Sequence, residues 1–343
     1  MSIVPVNILE WTPEYAVHNA EIDEDHRHFY GLINRLHEAM LAGQGREILE
    51  TLLSGLTTYA LKHFAHEEKL MAEIHYPRMT DHIQAHEELH RRLQDVAARF
   101  DRGESAITIE LTLFLSGWLK NHTTSVDRRL GEYVKAERDF KAYLDRLLSG
   151  DLRGCGAIVR RLLAGGVSFR DLYVNLFQRA MYETGELWMK KKISVATEHL
   201  ATTITMSMMA QARPTVLDSP RNGKKAVVTC VGGELHQLGG QMVSDTLDFL
   251  GWDSFFLGAN TPVEGLLEMV GEKQPDVLAL SVSLSNHVGQ FKETVERTRA
   301  MFPSLEILAG GQAFLRDQLE PVHAPHLQYL RTLDELETWI GTR

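Results

Sequence analysis

From about residue 22 to 145, apolar and polar positions alternate with the period of helices that bury one face, and few glycines intervene. Breaks fall at Ala42-Gly43-Gln44-Gly45, around Tyr76-Pro77 and at Asp101-Arg102-Gly103. Three breaks define four helices of roughly 20 to 30 residues, the lengths of an up-down bundle with short connections. A second helical stretch runs from about Leu144 to Gln211, interrupted at Ser149-Gly150-Asp151, Gly165-Gly166-Val167-Ser168 and Lys190-Lys191-Lys192. After Pro214 and the polar segment Asp218 to Lys224, short apolar runs alternate with helical patterns. Ala226–Val231 and Val277–Val282 have the composition of strands buried on both faces, and Ser254–Leu257 and Glu306–Ala309 are shorter versions. With helices expected near 237–250, 263–273 and 286–301, this part reads as a doubly wound parallel sheet. No internal repeat is visible.

The 343-residue length predicts two or three folded units, and 44% apolar with 24% charged residues marks an ordered globular chain. The net charge of 36 − 46 = −10 argues against a phosphate-coating nucleic-acid surface or an anionic-lipid anchor. No apolar run approaches membrane-spanning length, and Met1 to Pro5 lacks a charged region followed by an apolar core. Cys155 and Cys230 are the two cysteines, expected as buried thiols in a reducing cytoplasm.

Candidate chemistry begins with the histidines, of which there are 16. His63 with Glu67, and His82 with His86, are each four apart, so each pair projects from one helix face. Together with His26, His122 and Asp127 they make five imidazoles and two carboxylates over four helices, a set suited to two borderline metal ions bridged by the carboxylates. The His122/Asp127 spacing is less regular, because five residues advance about 500° and leave the side chains about 140° apart on an ideal helix. A wider turn such as a π-bulge would restore convergence. His28, His37, His66, His75 and His90 have no partner spacing and are expected on solvated helix faces.

These residues carry a resemblance: 11–135 is similar to a bacterial hemerythrin domain. The match rests on Trp11, Ile22-Asp23-Glu24-Asp25-His26, His63-Phe64-Ala65-His66-Glu67-Glu68-Lys69-Leu70-Met71, His82-x3-His86 and His122-x4-Asp127. The resemblance implies that His82, His86 and His122 hold one iron, that His26 and His63 hold the other, and that Glu67 and Asp127 bridge. It leaves the second iron an open position for O2 or another small diatomic ligand. The imidazole-rich set favours reversible O2 binding or redox cycling over demanding oxygenation.

In the second half, Val231-Gly232-Gly233-Glu234-Leu235-His236-Gln237-Leu238-Gly239-Gly240 places a histidine at the carboxyl end of a parallel strand, the ligand-binding edge of such sheets. Ser281-Val282-Ser283 and Ala309-Gly310-Gly311 follow later strands, so small residues clear a channel along that edge. This half resembles the cobalamin-binding fold. There a His-x-x-Gly motif, matched by His236 and Gly239, supplies the lower cobalt ligand, and the displaced nucleotide tail runs beside Ser281, Ser283, Gly310 and Gly311. Glu234 occupies the position of an acidic partner, Asp in many relatives, that tunes the ligand imidazole.

The segment 144–211 resembles the four-helix cap of cobalamin-dependent methionine synthases and of light-responsive cobalamin-binding repressors. Trp188-x6-Val195-x2-Glu198-His199 carries that likeness. In the repressors this arrangement encloses a 5′-deoxyadenosyl group. There a histidine follows the Trp and can capture cobalt after photolysis, whereas this chain has Met189, so its thioether, His199 or water would take the upper position.

The resemblances together imply a hemerythrin-like all-α four-helix bundle at 1–141, an all-α cobalamin cap at 142–219 and a flavodoxin-like, Rossmann-type α/β domain at 220–343. They imply two irons and adenosylcobalamin as cofactors, and a cytoplasmic, homo-oligomeric light sensor whose diiron bundle is either the output or a second, O2-responsive input. The downstream protein partner is not specified, and neither nucleic acid nor a membrane is an expected partner. A continuous helical stretch from Asp127 through Leu152 is the expected coupling element. Two rival readings stand beside this one: a corrinoid enzyme of methyl transfer or radical chemistry, and a carrier of O2 or cobalamin without signalling.

Overall fold

The computed structural model describes residues 7–102, 109–213, 219–316 and 322–342. Of the sequence features above, Met1 to Pro5, Gly103, Pro214 and Asp218 lie outside the described residues. The chain divides into two compact units, Met1–Asp139 and Phe140–Arg343.

In the first unit α1 (Ala20–Leu41), α2 (Arg46–Glu73), α3 (Met79–Asp101) and α4 (Ile109–Asn121) form the bundle, with breaks where the glycines and Pro77 predict them. Asn19 caps α1, its side chain accepting from the Glu21 and Ile22 amides, and Gly43 at φ 63 turns the chain toward α2. Phe29, Ile33 and Leu36 of α1 meet Leu56 and Phe64 of α2 in the core, a stripe at three- and four-residue spacing. After α4 the helix widens into a π-turn, His122–Asp127, and resumes as α5 (Arg128–Leu148). The expected continuity through Leu152 is not realised. Gly150 adopts φ 75, and Asp151 caps α6 (Leu152–Ala164) by accepting from the Gly154 amide, so α5 stops at Leu148.

The second unit continues with α7 (Phe169–Asp171), a π-turn at Leu172–Gln178, α8 (Arg179–Met189) and α9 (Val195–Ala212). Among the described residues its sheet comprises β1 (Lys225–Cys230), β2 (Asp253–Phe256), β3 (Val277–Ser281), β4 (Glu306–Gly310) and β5 (Leu327–Tyr329), all parallel in the order β2-β1-β3-β4-β5. Helices α10 (Leu238–Phe249), α11 (Val263–Lys273), α12 (Val288–Met301), α13 (Gln312–Arg316) and α14 (Leu333–Gly341) alternate with the strands. Successive strand residues face opposite layers: Val227, Leu278 and Ile307 join the core containing Leu266 and Phe291, while Val228, Ala279 and Leu308 join the core containing Leu172 and Met208. The chain turns back between β1 and β3, so the loops leaving these neighbouring strands splay apart into a crevice at their carboxyl ends. Among the described residues no helix is long and apolar enough to cross a membrane.

Candidate metal and cofactor sites

Four elements of the bundle aim seven donors at one point. His26 comes from α1, His63 and Glu67 from α2, His82 and His86 from α3, and His122 and Asp127 from the π-turn, each at most 3% exposed. The carboxylates divide the imidazoles into two groups. Glu67 Oε1 faces His26 Nε2 at 3.5 Å and His63 Nε2 at 3.9 Å, while Oε2 faces His82 Nε2 at 3.3 Å and His86 Nε2 at 3.1 Å. Asp127 Oδ2 faces His26 Nε2 at 3.2 Å, while Oδ1 faces His82 Nε2 at 3.1 Å and His122 Nε2 at 3.0 Å.

The electrostatics of this cluster are those of a cation cage. Burial pushes Glu67 and Asp127 up, and at Glu67 repulsion from Asp127 adds to it, yet the surrounding imidazoles prevail and hold both well below the usual carboxylate range. Burial lowers His26 and His82, but the two carboxylates more than offset it, raising them to about 10 and about 9. At His63 burial dominates and the value falls to about 4. Both carboxylates and the Nε2 atoms of all five imidazoles are buried without satisfying hydrogen-bond geometry. Such orphaned donors are costly in a protein interior, and a pair of metal ions satisfies them together. The residues therefore fit a dinuclear centre.

Aromatic rings wall this pocket: Phe64 stacks on His86 at 3.9 Å between centroids and Trp118 on His122 at 4.4 Å. Three histidines depart from the expected solvated faces. His37 is buried with Nδ1 2.9 Å from Thr112 Oγ1, because eleven residues, three helical turns, return it to the inward face of His26. His66 is half-buried, with Nδ1 2.6 Å from Asp25 Oδ2, whose Oδ1 accepts from the Tyr59 hydroxyl. His90 is half-buried as well, and His28 and His75 are exposed.

The second site lies at the crevice. Glu234 is fully buried, while the His236 side chain is 54% exposed and lines the cleft. Glu234 Oε1 accepts from the His236 amide at 2.9 Å and lies 2.6 Å from its Nδ1. Oε2 accepts from the Ser283 and Leu284 amides at 2.8 and 3.0 Å and lies 3.1 Å from His287 Nδ1. These donors outweigh burial and hold the Glu234 carboxyl far below its ordinary range, and the bond to Glu234 raises His236.

His236 opens into a cleft of about 330 Å³ that Trp188, Met189, Val195, Glu198 and His199 line on the cap side. Gly239, Ser281, Ser283 and Gly311 line its sheet side, and a cavity of about 100 Å³ sharing Gly239, Ser281 and Gly311 continues past Gly310. At Gly311, φ 116 and a Val282 carbonyl oxygen 2.2 Å from any added Cβ admit only glycine. Trp188 at 47%, Met189 at 47% and Val195 at 51% exposure present large apolar surfaces to the cleft, the lining that a bulky, largely apolar ligand requires. Glu198 accepts from the Thr202 hydroxyl at 3.0 Å and lies 3.7 Å from His199. Sequence reasoning missed His287, Gln178, Tyr182 and Thr202, which no spacing links to the motif.

Residues 17–134 match the family model of the hemerythrin HHE cation binding domain, and 140–213 and 224–327 match two models of the B12 binding domain. A bacteriohemerythrin of Stenotrophomonas maltophilia (strain R551-3) is 34% identical over 129 residues, covering 38% of this chain and 83% of the relative. The chain belongs to the hemerythrin family. In this hemerythrin the metal-binding domain is fused to B12 binding domains, so the cofactors implied are a diiron centre and cobalamin. The HTH-type transcriptional repressor CarA of Myxococcus xanthus is 29% identical over 148 residues, 42% of this chain, which spans half of the repressor's length. The monomethylamine corrinoid protein of Methanosarcina barkeri superimposes with a TM-score of 0.53 at 16% identity over 60% of this chain and 99% of that protein, a likeness of fold alone.

Proposed function

We propose that this hemerythrin is a cytoplasmic sensor in which a light-sensitive adenosylcobalamin module is coupled to an O2- or redox-responsive diiron domain. In this reading His82, His86 and His122 hold one iron, His26 and His63 the other, and Glu67 and Asp127 bridge them. The opposed contacts of each carboxylate's two oxygens support that division. His236 is the lower cobalt ligand, oriented by Glu234. Gly239, Ser281, Ser283, Gly310 and Gly311 leave room for the nucleotide tail. Trp188, Val195, Glu198 and His199 enclose the adenosyl group, with Met189 beside it. Cobalamin supplies a light-labile cobalt–carbon bond, and the irons supply a site for O2 or another diatomic. The domain limits are 1–141, 142–219 and 220–343, and the assembly is homo-oligomeric.

One observation carries this proposal: the four cap residues named by the repressor-like spacing line the same cleft as His236. The similarity to a transcriptional repressor supports a regulatory role over turnover. Coupling requires an element that both sites can bias, and α5 begins directly after Asp127 and continues to Leu148, beyond the limit between the units. The test is reconstitution with iron and adenosylcobalamin in the dark without oxygen. Absorption spectra and size-exclusion profiles are then recorded before and after green light, with and without O2. Illumination should change the cobalt spectrum and the elution volume. An unchanged elution volume would leave a carrier, and methyl transfer from a methylated donor would establish an enzyme instead.

A further inference from the structure

The cleft of about 330 Å³ is at the small end of the range, about 300–1,000 Å³, that holds drug-sized ligands. A corrinoid is larger than such ligands, so the cap has to swing away from the sheet to admit one. The contacts between the two layers show where such a swing can turn. Asp245 of α10 is fully buried and binds the cap at two places far apart along the chain. Its Oδ2 accepts from the hydroxyl of Tyr173, in the π-turn, at 2.8 Å, and its Oδ1 lies 3.2 Å from Nε of Arg213, directly after α9. Gln241, one turn back on α10, donates to Oδ1 at 2.7 Å.

Two arms run from this hub to the cleft. On the sheet side α10 leads back from Asp245 through Met242 to Gly239, about 9 Å along the helix, and these last two line the cleft. On the cap side the π-turn leads from Tyr173 to Gln178, which lines the cleft, and α8 goes on to Trp188. Asp245 and Tyr173 themselves line neither cavity. Behind the hub the layers stay closed: Phe169, four positions before Tyr173, stacks on Phe249, four positions after Asp245, at 4.9 Å between centroids. Arg170 also pairs with Asp334 and Glu337 of α14, but at the surface, where ion pairs contribute little. Burial raises the Asp245 carboxyl even though Tyr173, Arg213 and Gln241 favour its charged form. A buried charge of this kind is a poor stabiliser beside apolar packing, and its best-attested use is to fix the register of packed elements.

We infer that Asp245 is the pivot of the cap, holding Tyr173 and Arg213 at the closed end of the two arms while the cleft end opens, so that the cap returns to one registration over the sheet. The inference rests on the cobalamin reading of the cleft. Removing a tether leaves the shared apolar core in place, so the fold survives while the cap samples other registrations. A ligand that needs the closed arrangement then binds more weakly in proportion to its lost population.

The experiment uses the full-length, cofactor-free chain with nitroxides at Lys192→Cys, just past Trp188 on the cap, and Gln290→Cys, just past the Ser283 loop. Both positions are exposed, whereas Cys155 and Cys230 are buried. Double electron–electron resonance should give one narrow distance distribution for this labelled parent. Tyr173→Phe, which removes only the hydroxyl, and Arg213→Gln should each broaden it, and the double variant should broaden it further. Arg221→Gln is the control for lost stability alone, because the Arg221 bonds go to Asp248, Trp252 and Asp253, all outside the cap. Its distribution should match the parent's. Hydroxocobalamin affinity should fall about tenfold in Tyr173→Phe, the lower end of the effect of a hydrogen bond to a charged group. A double variant with the parent's narrow distribution or the parent's affinity, a parent that is itself broad, or equal broadening by Arg221→Gln would overturn the pivot. If the parent takes up no hydroxocobalamin, the cobalamin reading fails, and the distances alone decide the pivot.

Discussion

His122 Nε2 lies 3.0 Å from Asp127 Oδ1 although the two are five positions apart, a spacing that a regular helix splays by about 140°. The π-turn from His122 to Asp127 removes that divergence by widening one turn, and the helix on either side stays regular. Asp127 thereby reaches His26 with its other oxygen, so a single local irregularity lets the fourth helix contribute both an imidazole and a shared carboxylate.

The shared carboxylates predict all-or-partial metal loss. Replacing Glu67 with Ala, or Asp127 with Asn, should take the bundle from both irons to a single iron or none, measured by metal analysis and by loss of magnetic coupling between the irons. Two coupled irons retained in either variant would contradict the bridging arrangement.

At the crevice two glycines should respond in opposite ways. Gly239→Leu adds a Cβ in ordinary contact, 3.6 Å from Ser281 Oγ, on a helical residue, so folding should tolerate it or gain up to about 1 kcal/mol. Its longer side chain reaches into the cleft and should weaken hydroxocobalamin binding about tenfold or more, at least about 1.4 kcal/mol by equilibrium dialysis. Gly311→Ala instead meets the Val282 carbonyl and should destabilise the fold itself by about 1–3 kcal/mol in urea denaturation. Equal behaviour of the two variants would refute the assignment of Gly239 to the channel.

Glu234 predicts a pH dependence with a definite sign. Its carboxyl titrates below the ordinary 4.5 in the folded chain, so its contribution is complete above pH 4.5 and drains away as the pH falls further. Glu234→Gln puts an amide among donors and should cost about 1.5–3 kcal/mol at pH 7. That difference, followed by urea denaturation, should shrink below pH 4.5. A gap that stays constant into acid would mean that the carboxylate's charge contributes nothing to stability.

The sequence by itself determined the four bundle helices, the inward pairs His63/Glu67 and His82/His86, and four of the strands to within a residue at either end. Helical and strand periodicities are local, so each reports which side of its own element a residue occupies. It also carried the need for a wider turn at His122, because a misfit between spacing and shared function is itself a local signal. Tertiary structure alone decided that β5, three residues long with Gln328 at its centre, would complete the sheet. It alone buried His37 against Thr112. It also brought His287 to Glu234, 53 positions away. That contact exists because β1 and β3 are neighbours in the sheet, and strand order is set by long-range packing rather than by any spacing along the chain.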